Sequence, residues 1–151
     1  MANMQNVRTL MGDQDPANRV KNFKEVALGY STGAAMNEAD RCLNCKNKPC
    51  VSGCPVGIPI PEFVGKVAEG DLAAAYQLLS DANALPAISG RVCPQETQCE
   101  GKCVRGVKGE PVSIGRIERF VADWAAENGI ANVATAPKNG HKVAVIGSGP
   151  A

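Results

Sequence analysis

The stretch CLNCKNKPCVSGCP, residues 42–55, carries four cysteines within thirteen positions, and the rest of the chain is organised around it. Thiolates packed this densely must be cross-linked, hold a metal centre, or repel one another strongly enough to keep the segment open. A metal centre is the first expectation, because it uses all of these sulfurs at once.

The spacing of these cysteines narrows the kind of metal centre. Cys42 and Cys45 form a C-x-x-C pair, and Cys50 follows after four intervening residues. Cys54 comes after three more residues and directly precedes Pro55. This order is similar to the bacterial iron–sulfur sequence ending in Cys-Pro, whose last cysteine binds the other cluster of a pair. The four-residue middle gap departs from a standard bacterial ferredoxin loop, which has two residues there.

A second group of cysteines lies in RVCPQETQCEGKC, residues 91–103, and begins with another Cys-Pro pair. Its members are Cys93, Cys99 and Cys103. The chain therefore has seven cysteines, one fewer than two four-ligand sites require. An odd number of cysteines, together with the expected reducing compartment, argues against a disulfide framework.

Composition and charge limit the possible partners. With 151 residues and 44% hydrophobic content, the chain can bury one core. A formal net charge of +1 does not indicate a nucleic-acid surface. The first thirty residues lack the apolar segment of a signal peptide, and no apolar run is long enough to span a bilayer. We expect a cytoplasmic protein without nucleic-acid or membrane partners.

Apolar periodicity predicts a mainly α fold, a small helical domain with long cysteine-bearing loops. Residues 1–14 are polar and poorly periodic, so we expect a flexible arm, followed by the helical domain over 15–128. Residues 81–112 contain many Gly and Pro residues and are predicted to be loops. The expected helices span 16–23, 32–41, 62–69, 72–80 and 114–128. Their expected N-caps include Asp15, Thr32, Asp71 and Ser113.

One acidic residue lies on the apolar face of the last helix. Glu118 falls within the stripe formed by Ile114, Ile117, Val121, Trp124 and Ala125. A buried carboxylate costs several kcal/mol unless it is paired or bound to a metal. The sequence leaves two interpretations of Glu118 open. It either lies at the edge of the stripe, paired with an arginine or reaching water, or it binds a metal.

The C-terminal residues have a different character. Residues 129–141 are predicted to be a linker. The only histidine of the chain, His141, lies in this linker and is not expected to bind a metal. Lys142–Ile146 is predicted to be a buried strand leading into Gly147-x-Gly149, which is how a dinucleotide-binding domain of the Rossmann type begins. The remaining features of such a domain do not follow, so residues 142–151 look like its truncated start and are not expected to bind a dinucleotide by themselves.

Four motifs in order carry a resemblance to a known family. They are RCLNCKNKPCVSGCPVGIPIPEF, GRVCPQETQCEGKC, EPVSIGRIERF and KVAVIGSGPA. From about Asp15 onward the chain resembles the N-terminal iron–sulfur domain of the NADPH-dependent glutamate synthase small (beta) subunit family. Its relatives include the large subunit of ferredoxin:NADP oxidoreductase, the sulfide dehydrogenase flavoprotein subunit and the N-terminal region of dihydropyrimidine dehydrogenase. The resemblance implies a helical domain with two [4Fe-4S] clusters, followed by FAD and NAD(P)H domains.

The resemblance also implies which residues bind the clusters. The first cluster would be held by Cys42, Cys45, Cys50 and Cys103. The second would be held by Cys54, Cys93 and Cys99. In the dihydropyrimidine dehydrogenase branch the eighth ligand is a glutamine side-chain oxygen, and matching Pro111 and Ile114 places Glu118 there. The resemblance therefore favours Glu118 as a ligand, with an added negative charge that lowers the reduction potential. Gly147 and Gly149 would contact FAD as part of an incomplete motif.

The implied function is electron transfer. Electrons from NADPH would pass through FAD and the two clusters to a large glutamate synthase subunit, which makes glutamate from glutamine and 2-oxoglutarate. An equivalent redox partner, in a ferredoxin:NADP oxidoreductase or a sulfide dehydrogenase, is the alternative within this class. Two other classes stay open: a structural zinc-binding interaction domain, and a scaffold whose clusters, if any, serve chiefly to fold the domain and dock a partner subunit. No acid, base or nucleophile constellation is present, so this segment alone is not expected to be catalytic.

Overall fold

The computed structural model describes residues 3–130 and 137–147. Over these residues the protein is mainly helical, as predicted, and contains no β-strand. The helices are α1 Pro16–Arg19, α2 Thr32–Ala39, α3 Pro49–Ser52, α4 Ile60–Glu69, α5 Leu72–Ala82, α6 Pro86–Val92 and α7 Ile114–Glu127. Three short 3-10 turns lie between α6 and α7, at Gln95–Thr97, Glu100–Lys102 and Val104–Val107.

Helix α7 is the centre of the fold and packs against α2, α4, α5 and α6. The predicted apolar stripes of α4, α5 and α7 meet in one core. Its completely buried side chains include Phe63, Val64, Val67, Leu79, Ile117 and Val121. The corner between α4 and α5 is formed as predicted: Gly70 adopts a left-handed conformation (φ 79°), and the Asp71 side chain accepts from the Ala74 N–H.

Some predicted helix boundaries differ from the structure. Helix α1 ends at Arg19, short of the expected Phe23, because Phe23 is fully exposed and gives the helix no packing to extend along. Ser31, and not Thr32, caps α2 by accepting from the Ala34 N–H. Helix α2 ends at Ala39, so a turn separates it from the first cysteine.

Residues 81–112 are not the long loop that the sequence indicated, since they contain α6 and the three 3-10 turns. Gly90 is one of the glycines whose presence predicts a loop, but it lies within α6. A Cβ at this position would lie 2.6 Å from the backbone nitrogen of Arg119 in α7. The glycine therefore allows the close approach of α6 and α7.

We expect the Gly90→Ala substitution to destabilise the protein by about 1–3 kcal/mol, because the methyl group forces α6 away from the backbone of α7. The matched control is Gly65→Ala in α4, where a Cβ meets nothing within 4 Å. That change should stabilise by about 0.5–1 kcal/mol, since alanine favours a helix. Anaerobic urea unfolding compares the two variants, and similar midpoints for both would contradict this account of α6 packing.

The N-terminal segment, expected to be a flexible arm over 1–14, makes defined contacts in its described part. The Asn3 N–H donates to the Asp40 carbonyl at 3.0 Å, and the Tyr30 hydroxyl donates to the Thr9 carbonyl at 2.8 Å. Residues 12–14 also pair with 26–28 around a single antiparallel bridge. The polar composition of the N-terminal segment is typical of a free coil. In the structure, polar groups of the helical domain form hydrogen bonds with backbone groups of this segment.

The strand predicted over Lys142–Ile146 is not observed. These residues are exposed and pair with no other segment that the structure describes. A strand obtains its hydrogen bonds from a neighbour, so this prediction stays a proposal about a larger sheet. Gly147 has the positive φ of 99° that a tight turn requires, whereas Gly149 lies outside the described residues. None of the described helices has the length and apolar character needed to cross a bilayer.

Candidate metal centre

The first cysteine segment joins α2 to α4 through the short helix α3. Asn44 and Lys48 adopt left-handed conformations, with φ of 46° and 41°, which turn the chain sharply on either side of Cys45. Cys50 lies within α3, and Cys54 lies two residues after its end. Two cysteines four positions apart are therefore presented in different directions.

One cavity collects four of the seven cysteines. Its thiol-bearing lining residues are Cys42, Cys45, Cys50 and Cys103. The remaining wall is mostly apolar and is supplied chiefly by α4 and the start of α7, through Ile60, Pro61, Val64, Val112 and Ile114. Arg105 also lines the cavity. These four cysteines are the set that the resemblance assigns to the first cluster.

Two thiols of this cavity, those of Cys42 and Cys50, are partly shielded from water. Burial raises the pKa of Cys50 to about 11, and the nearby Cys42 adds to the shift. Burial also raises the pKa of Cys42, although a hydrogen bond from the Asn44 backbone opposes it. At neutral pH these thiols are protonated, so a metal must displace their protons to bind. The backbone hydrogen bonds to sulfur are of the kind that adjusts the reduction potential of a bound cluster.

A second group forms around Cys99, the most buried of the cysteines. Burial raises the pKa of Cys99 to about 12, and the charges of Glu100, Cys54 and Glu118 add to the shift. Burial also raises the pKa of Cys93, and the same two groups, Glu118 and Cys54, raise it further. The charges of Cys54 and Glu118 therefore reach both Cys93 and Cys99. Cys54 does not line the cavity that contains Cys50.

The two cysteine segments approach each other closely beside this second group. A Cβ at Gly53 would lie 2.7 Å from the carbonyl oxygen of Gln98, so glycine is needed where α3 meets the second segment. The Cys93 thiol donates to the side-chain oxygen of Gln98 at 3.6 Å. This contact joins the two segments next to Cys54 in the first and Cys99 in the second.

Glu118 is buried, as one interpretation of the sequence required, with 6% of its surface exposed. Glu118 forms no salt bridge with any described residue, so the pairing with arginine that one interpretation expected is not observed. Its Oε1 accepts from the Asn83 amide at 2.9 Å and from the Ser89 hydroxyl at 2.6 Å. Burial raises the pKa of Glu118, and these two donors oppose the shift.

Sequence reasoning missed Asn83 and Ser89. Both lie in the segment predicted to be a loop, and no apolar periodicity marks either of them. A signal was available in Pro86, which occupies the first turn of α6 and is favoured at that position in helices. A helix beginning at Pro86 would have placed Ser89 on a regular element.

The donor set of the cavity fits the group that the resemblance implied for it. Four thiols in a mostly apolar cavity suit a [4Fe-4S] cluster, which takes four cysteine ligands. Across the described residues, no three His, Cys, Asp or Glu side chains are grouped to hold a single metal ion. A cubane cluster does not require such a group, because each of its ligands binds a different iron.

Comparisons with known proteins give a consistent result. Residues 19–130 match the family described as dihydropyrimidine dehydrogenase domain II, 4Fe-4S cluster. The chain is 42% identical over 130 residues to the glutamate synthase [NADPH] small chain of Escherichia coli K12, covering 85% of this chain and 28% of that protein. It is 36% identical over 149 residues to the Bacillus subtilis 168 small chain, with 92% and 30% covered.

A third relative carries a different name. The chain is 35% identical over 127 residues to the NAD-dependent dihydropyrimidine dehydrogenase subunit PreT of Escherichia coli K12, covering 84% of this chain and 31% of that protein. The chain thus spans less than a third of the length of each of these three relatives.

Proposed function

The chain belongs to the dihydropyrimidine dehydrogenase domain II family of [4Fe-4S] domains, and from this premise we propose that it carries electrons through two clusters. It is an iron–sulfur electron-transfer domain of oxidoreductases that resemble the glutamate synthase small chain. The proposal assigns one cluster to the cavity containing Cys50 and the other to the group around Cys99.

The observation that supports this proposal is that neighbouring cysteines have different surroundings. Cys50 lines the first cavity, whereas Cys54 acts on the thiols of the second group. In the other segment, Cys103 lines the first cavity and Cys99 belongs to the second group. Each segment would therefore contribute to both of the proposed sites. Two clusters bound in this way would lie close together in one small domain, as an electron relay requires.

The protein's own residues would hold the clusters and control their surroundings. When bound, a [4Fe-4S] cluster accepts and donates single electrons, so no acid or base is needed. The apolar wall from α4 and α7 limits access of water to the first site, and Arg105 places a positive charge there. Burial, backbone hydrogen bonds and a nearby cation are all means by which a protein sets cluster potential.

We further propose that the intact protein continues with FAD and NADPH domains and delivers electrons to a large glutamate synthase subunit. The chain spans 28% of the length of the Escherichia coli small chain, which leaves room for further domains in a protein of that length. Identity of 42% to that protein supports this choice of partner. The strand proposed over Lys142–Ile146 and the turn at Gly147 would begin the FAD domain.

The test is anaerobic reduction followed by electron paramagnetic resonance. Dithionite should produce signals from two reduced clusters, and the Cys50→Ser and Cys54→Ser variants should each lose a different one. These variants are matched, because the same substitution is made at two nearby positions. A protein that binds iron and sulfide but cannot be reduced would be a scaffold. Loss of the same signal in both variants would show that the assignment of ligands is wrong.

A further inference from the structure

The hydrogen bonds to the Glu118 carboxylate come from two other helical segments and all reach the same oxygen. Asn83 follows α5, Ser89 lies within α6, and Glu118 lies within α7, so three helices meet at one carboxylate. Both donors bond to the same oxygen, Oε1. Among the hydrogen bonds of the described residues, none reaches Oε2. The two oxygens of one buried carboxylate therefore have different environments.

The donors are themselves held in place. The Asn83 side-chain oxygen accepts from the Leu85 N–H at 3.0 Å, which directs the amide nitrogen toward Glu118. That nitrogen also donates to the Ser89 hydroxyl at 2.6 Å. The hydroxyl has one proton to donate, and the nearest of its acceptors is the carboxylate, at 2.6 Å. These contacts form a closed triangle among the three side chains.

Cys93 directly follows α6, and α6 packs against α7, the helix that carries Glu118. The negative charge of Glu118 acts on both Cys93 and Cys99. Neutral donors hold the carboxylate without cancelling its charge, so it would still reach an iron as an anion. An arginine in their place would compete with the metal for the same oxygens.

We propose that Ser89 and Asn83 are positioning residues, which bind Oε1 of Glu118 and thereby present Oε2 as the single oxygen that ligates the second cluster. This inference rests on the proposed function, since it needs clusters to be present. Groups that hydrogen-bond to a metal ligand fix its orientation, and losing one costs about 10–100-fold in metal affinity. Here the loss of the Ser89 hydroxyl removes the shorter of the two hydrogen bonds that hold Oε1.

The test compares Ser89→Ala with Ser89→Thr, which keeps the hydroxyl. The matched control is Ser80→Ala, because the Ser80 hydroxyl bonds to a carbonyl of its own helix. The readouts are the rate of iron loss to a chelator and the resonance spectrum of the reduced protein. Ser89→Ala should lose iron from one cluster about 10–100-fold faster and change the signal of that cluster. Ser89→Thr and Ser80→Ala should match the wild type.

A purely structural role would lower the melting temperature without changing the spectrum. If Ser89→Ala has the spectrum of the wild type and loses iron at the same rate, the inference is overturned. Asn83→Ala provides a second variant should Ser89→Ala fold poorly, with the same expected change. A Glu118→Ala variant with an unchanged spectrum would also overturn the inference, but it would not contradict the proposal that the protein binds two clusters. Failure of the proposed function is distinguishable, because the wild type itself would then show no reducible cluster.

Discussion

The Arg41→Met variant is expected to unfold with a free energy about 3–5 kcal/mol below that of the wild type. Arg41 and Glu38 form a salt bridge of 2.6 Å, and neither side chain has any exposed surface. Removing the guanidinium leaves the Glu38 carboxylate charged and unpaired in the core, which is the expensive way to break a buried pair. Urea unfolding of anaerobically prepared protein measures the difference.

The pair also joins parts of the chain that are distant in sequence. Backbone groups of the N-terminal segment and of the start of α7 bond to it, from Gln5, Thr9, Glu110, Pro111 and Ser113. Because Arg41 directly precedes Cys42, its loss should also reduce the iron bound at the first site. The effect on stability and the effect on iron content should therefore appear together.

Lys66→Met is the matched control for Arg41→Met. Lys66 and Glu69 form a salt bridge with the same spacing, but both side chains are exposed. The two substitutions remove the same charge, and the exposed one should cost less than about 1 kcal/mol. Equal shifts in the two unfolding midpoints would contradict the idea that the buried pair holds the segments together.

Removal of metal is expected to produce the second large effect. Without clusters, residues 42–57 and 93–107 should lose protection from hydrogen exchange, because these loops lack an apolar stripe of their own. Helices α4, α5 and α7 should keep part of their protection, since they share the buried core. Mass spectrometry of the exchanged protein, before and after chelation, measures both regions in one sample.

The helices serve as the internal control of that experiment. Loss of protection everywhere would mean that the clusters hold the entire domain together and that the core cannot persist alone. Loops that remain protected after complete chelation would contradict the claim that metal orders them. Iron must be measured on the same sample, so that protected loops are not attributed to residual clusters.

The parts of the fold predicted correctly from sequence are those governed by local periodicity. Helices α4, α5 and α7 each carry an apolar stripe and clear end signals such as Gly70 and Asp71. Helix α6 was missed because Gly90 breaks its pattern, and the reason for that glycine lies in α7. A close approach between two helices is a feature of tertiary structure, so it cannot be predicted from the sequence of one helix.

Some features of the candidate site could likewise be predicted from the sequence, and others could not. The cysteine spacing indicated metal binding, but the pairing of the Cys42 segment with Cys103 came from the resemblance, and the cavity agrees with it. The buried pair of Glu38 and Arg41 was not predicted, because charged residues next to a loop are usually exposed. The donors to Glu118 were missed because they belong to the unpredicted α6 and the end of α5.

The central claim is that seven thiols and one carboxylate from three segments hold two [4Fe-4S] clusters. Its most direct test is the content of iron, acid-labile sulfide and zinc in anaerobically purified protein. The account predicts about eight irons and about eight sulfides per chain, with no stoichiometric zinc. Zinc in place of iron, without sulfide, would contradict it and support a structural zinc domain.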